Sequence, residues 1–106
     1  MKLTTYTLLA LLGACEDADE MAVLMALVRL GAWNEMSCVT TPSEIGRILG
    51  RSPLWVRRVC RTLSGKPYPL LTTSVIAGRG DDDEQMFRLL EPPGNTEGPL
   101  PRGVRE

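Results

Sequence analysis

Apolar positions fall into helical spacing in four places along this chain and into β-type patterns in three. In the first run, Leu8, Leu9, Leu11 and Leu12 supply the apolar face of a helix. The second run, Met21, Val23, Leu24, Leu27, Val28 and Leu30, follows the acidic stretch Glu16–Glu20. Carboxylates favour the positive end of a helix dipole, and Asp17 or Asp19 suits the N-cap. Gly31 is the expected terminator. Ala22, Met25 and Ala26 fill the face opposite Leu24 and Leu27, so this helix is apolar nearly all round. Such a helix is covered on more than one side, by the first helix, by a second copy of the chain, or by both.

Ser37–Thr40 is short and β-prone. Thr41-Pro42-Ser43-Glu44 then spells a capping box: Thr at the N-cap, Pro at the first helical position and Glu three residues after the Thr. The helix Ser43–Leu49 carries Ile45, Ile48 and Leu49 on one side and stops at Gly50. Ser52-Pro53 repeats the device, and Val56, Val59, Cys60 and Leu63 set the inner stripe of the next helix. Its opposite face shows Leu54, Trp55, Arg57, Arg58 and Arg61, and it ends near Ser64-Gly65, ahead of Pro67 and Pro69. Leu70–Ala77 and Glu84–Leu90 read as strands joined by the turn 78–83. The organisation expected is an N-terminal helix over 1–16, a folded domain over 17–91 and a disordered tail over 92–106.

At 106 residues, with 43% hydrophobic and 24% charged residues, the composition is that of one small domain. The longest near-apolar run, Met21–Trp33, is broken by Arg29 and falls short of the roughly 20 residues of a spanning helix. No membrane association is expected, and the chain reads as cytoplasmic. Residues Met1–Cys15 admit two readings, an ordinary first helix or a lipoprotein-like leader with Cys15 as its acceptor. Three widely spaced cysteines and no histidine argue against a disulfide framework, a common zinc site and His-dependent catalysis. Neither enzymatic activity nor a cofactor or metal is expected. Cys60 lies on an apolar stripe and reads as core.

The net charge of −1 hides an asymmetry. Residues 1–44 sum to −4 and residues 81–106 to −4, whereas 45–80 hold Arg47, Arg51, Arg57, Arg58, Arg61, Lys66 and Arg79 with no acid, a total of +7. A basic block of that kind suits a polyanion.

The order helix, helix, strand, helix, turn, helix, hairpin, with Gly46, the turn residue Gly50 and the anchoring Val56, resembles a winged helix-turn-helix domain. Small bacterial and archaeal transcription regulators carry such a domain, and the resemblance covers about Asp19 to Glu91. It implies a mainly α, α+β fold with a small β-hairpin wing and, here, an extra N-terminal helix. It implies binding to double-stranded DNA, with the helix near 52–64 in the major groove. Ser52, Leu54, Trp55, Arg57, Arg58 and Arg61 are then the groove-facing candidates, joined by Arg51 beside the turn. Thr41 and Ser43 stand at a helix start suited to a phosphate, and Arg79 at the hairpin tip. A homodimer through the N-terminal helices is the expected partner arrangement. Two other functions use the same architecture: a protein-interaction module, and a plasmid or viral replication or partition protein. The sequence departs from the family pattern at Arg51, where an apolar residue is usual, and at Leu54 and Trp55, where small polar residues are usual. The acidic run Asp81–Glu84 also sets the wing against phosphates.

Overall fold

The computed structural model describes residues 3–77 and 84–92. The turn 78–83, with Arg79 and Asp81, and the stretch 93–106 lie outside the described residues. The fold is α+β: helices packed on one face of a three-stranded antiparallel sheet.

Helix α1 (Thr5–Ala14) opens at Thr4, whose side chain accepts the N–H of Thr7. Helix α2 (Ala18–Leu27) is capped by Asp17, which takes the N–H of Glu20. The regular part of α2 stops at Leu27, short of the expected Leu30. The chain then widens through Val28–Ala32, with Gly31 inside that segment at φ 136°, a value side chains rarely tolerate. One helical turn, α3 (Trp33–Glu35), and Met36 at φ 60° bring the chain into β1 (Ser37–Thr40). Helices α4 (Pro42–Leu49) and α5 (Pro53–Ser64) begin at the two predicted caps. Strands β2 (Leu71–Ala77) and β3 (Glu84–Leu89) form the predicted hairpin.

Strand β3 lies in the middle, paired with β1 in the register Cys38↔Phe87 and with β2 in the register Thr73↔Phe87. A bulge interrupts β2 between Val75 and Ala77. Cys38, Phe87, Leu89 and Leu71 turn inward to meet Val23, Leu24 and Leu27 of α2, Ile45 of α4, and Val56 and Leu63 of α5. Leu11 of α1 is fully buried in the same core, but Leu9 is 62% exposed. The four leucines expected to form one apolar face are thus divided between core and surface. On α2, Ala26 is buried while Met21 and Met25 remain exposed. Pro92 is buried too, so the packed chain runs at least one residue beyond the expected limit at 91. Among the described residues, no helix is long and apolar enough to cross a membrane.

Candidate nucleic-acid interface

The turn between α4 and α5 fixes how α5 is presented. Gly50 adopts the left-handed conformation (φ 71°, ψ 34°) that ends a helix, and the Arg51 N–H donates 2.8 Å to the Gly46 carbonyl. This is the closure of a Schellman turn. A Cβ on Gly46 would overlap the carbonyl oxygen of Arg51, so the close approach is between helix and turn backbone rather than between two helices. Ser52 then caps α5 by accepting the Trp55 N–H at 3.1 Å.

Two of the departures from the family pattern explain each other. The residue after the turn glycine ordinarily makes an apolar contact back to the helix. Here the Arg51 guanidinium lies 4.8 Å from the ring centroid of Trp55, and Trp55 is half-buried against the core. A cation over an indole face contributes about 0.5–1 kcal/mol at an exposed site. Trp55 is therefore engaged at its sides, whereas Leu54 stands 51% exposed at the start of the helix.

Val56, Cys60 and Leu63 face inward, and Leu54, Arg58 and Arg61 make an exposed stripe at helical spacing. Among the described residues, neither Arg58 nor Arg61 is ion-paired. Arg57 flanks the stripe and is half-buried. With Arg61 it lines a groove of about 270 Å³ between α5 and the sheet, to which Ser64, Thr73 and Gln85 add polar groups. Thr73 and Gln85 carry no signal in the sequence; only the hairpin's register brings them beside α5.

Thr41 spends its hydroxyl as a cap, accepting the Glu44 N–H at 3.2 Å, and Ser43 is exposed. Both line a shallow hollow of about 300 Å³ with Glu44 and Arg47, which are paired at 3.0 Å. Arg47 was not among the expected contacts, although it belongs to the basic block. Lys66, also in that block, is turned away from any such role. Its ammonium lies 3.3 Å from both Glu16 and Glu20, in a junction between the α1–α2 turn and the segment after α5. Burial works against its charge, but hydrogen bonds to Glu20 and Glu16 outweigh that and raise its pKa above the usual lysine value. Arg79, the candidate at the hairpin tip, lies outside the described residues.

The three thiols sit in surroundings that disfavour the thiolate. Burial pushes Cys60 up to about 12 and Cys38 up to about 11. Burial, then the charge of Glu20, raises Cys15 to about 11. Among the described residues, no three cysteine or carboxylate side chains gather as a metal site would require. Comparison with protein-family models, curated proteins and solved structures finds no match to this chain.

Proposed function

We propose that this chain is a winged helix-turn-helix protein that binds double-stranded DNA, with α5 lying in the major groove. The observation that carries the reading is the exposed stripe Leu54–Arg58–Arg61 on a helix whose start is fixed by the Ser52 cap and the Schellman turn before it. The hairpin β2–β3 following that helix supports it, as does a segment 45–80 without an acid.

The chemistry follows from those positions. The guanidinium groups of Arg58 and Arg61 fork two bonds to a guanine edge or a phosphate, and Leu54 suits a thymine methyl. Arg57, half-buried beside Thr73 and Gln85, suits the backbone of the strand flanking the groove. Thr41 and Ser43, at the start of α4, suit another phosphate, with Arg47 offsetting Glu44 there. Base readout by such a helix is the work of a sequence-specific transcriptional regulator.

Fluorescence anisotropy on duplexes selected from a random pool tests this. Arg58→Ala and Arg61→Ala should each weaken binding by about 1–3 kcal/mol where the arginine reads a base. Where it meets a phosphate, the salt slope should fall by about one. Thermal melting should be unchanged, because both side chains are exposed. A double variant that binds duplex DNA as tightly as the parent chain would overturn the proposal.

A further inference from the structure

A cavity of about 460 Å³ opens where the end of α1 meets the segment that follows α5, within the size range of small-ligand pockets. Pro67, Leu70 and Pro92 give it apolar walls, and none of the residues that line it belongs to the proposed DNA surface. The charged groups here differ in how fully they are used. Glu20 is buried and doubly engaged: its Oε1 accepts the Glu16 N–H at 2.9 Å and lies 3.3 Å from the Lys66 ammonium. The Lys66 side chain is 11% exposed and held by both carboxylates. Glu16 is the opposite case. It lines the cavity, its side chain is 76% exposed, and among the described residues only its Oε2 is engaged. Two carboxylates against one ammonium leave a net negative charge at the cavity.

The surroundings keep that sign. Residues 16–20 also hold Asp17 and Asp19. The adjacent Cys15 thiol responds to the same excess: burial is the chief cause of its raised pKa, and of the charges around it Glu20 raises it more than Lys66 lowers it. An anion entering the cavity would meet this negative charge and would have to break the Lys66–Glu16 pair. A cation instead meets a carboxylate oxygen with no other claim on it. Tyr68, 67% exposed and lining the same cavity, offers a ring face, which attracts cations through its quadrupole. We propose that this cavity binds a small organic cation, an ammonium group on an apolar body, with the ammonium at Glu16 and Tyr68 and the body against Pro67, Leu70 and Pro92. The site shares no residue with the α5 stripe, so it stands or falls separately from DNA binding.

Amide chemical-shift titration of the full chain at neutral pH, with three probes that share one apolar body, tests this. Phenethylammonium should bind saturably, with shifts centred on Lys66, Tyr68 and Leu70. Phenethyl alcohol should bind about tenfold more weakly, and phenylacetate not at all. Glu16→Gln keeps the side chain's shape and removes its charge. It should weaken phenethylammonium about tenfold and leave phenethyl alcohol unchanged, a split that a general loosening of the junction would not produce. Tyr68→Leu keeps an apolar wall and should weaken phenethylammonium about threefold. Absence of saturable binding, equal affinity for the ammonium and the alcohol, tighter binding of phenylacetate, or parent affinity in Glu16→Gln would each overturn the proposal. If Glu16→Gln melts well below the parent chain, Tyr68→Leu decides in its place, and parent affinity there would overturn the proposal as well.

Discussion

Helices α4 and α5 and helices α1 and α2 are built on different principles. In the first pair charge and apolar character divide by side: Ile45, Val56, Cys60 and Leu63 go inward, and Arg47, Arg58 and Arg61 outward, with Leu54 the exposed exception. Each start is marked by a hydroxyl cap and a proline, and the junction is locked by Gly46 and Gly50. In the second pair apolar residues occupy both sides, and burial is decided by what packs against them. Leu11 and Leu9 are chemically identical and two positions apart, yet one is fully buried and the other 62% exposed. Amphipathic patterning fixes orientation from within an element. Where it is weak, orientation is a property of the assembled domain.

The largest effect that sharpens this contrast compares those two leucines. Leu11→Ala should destabilise the domain by about 2–5 kcal/mol in urea unfolding, since it removes a buried side chain and leaves a cavity. Leu9→Ala should stay within about 0.5 kcal/mol, because that side chain is largely exposed. Equal losses would mean that α1 has no preferred side.

A smaller effect tests the other pair. Gly46→Ala should cost about 1–3 kcal/mol, because its methyl group meets the Arg51 carbonyl and the α4–α5 turn has to open. If the turn sets the pose of α5 and α5 binds DNA as proposed, affinity should fall along with stability. A variant as stable as the parent chain would show the junction to be looser than its geometry.

The smallest effect is nil at neutral pH. Cys15, Cys38 and Cys60 have pKa values raised from 9.0 to about 11, 11 and 12, so the unfolded chain releases these protons more readily than the folded one. Their contribution is fully present below pH 9 and is lost as pH rises from there through 11 and 12. Lys66 acts in the same direction, its support fading as pH climbs through its raised value. Unfolding midpoints should therefore be flat between pH 7 and pH 9 and fall above that (bounds from the ordinary thiol pKa of 9.0). A midpoint that rises in alkali would contradict the burial of these thiols.

What the sequence made legible follows the same division. The β1 strand, the caps of α4 and α5 and the hairpin coincide with their predicted positions, because each is written in a few adjacent residues. The split of the α1 leucines was not legible, nor was the early end of α2, because both depend on neighbours distant in the chain. Lys66 is the clearest case at the candidate site. It counts toward the basic block in the sequence, and only the folded chain brings Glu16 and Glu20 to it. The Arg51–Trp55 contact is legible in principle, since residues four apart at a helix start are close enough to touch.

The place of β3 in the sheet bears on how the molecule comes into being. The central strand is the last of the three to be synthesised, and both neighbours depend on it for their pairing. A growing chain that has not yet reached Glu84 can form its helices, since their backbone hydrogen bonds are local, but it has no sheet. β1 waits unpaired through the making of α4, α5 and β2. Over that interval β2 is the exposed liability, because residues 67–77 include no charge to discourage pairing with another nascent chain. Pairing with β2 closes a short loop and pairing with β1 a long one, so the hairpin costs less chain entropy to form than the β1 edge.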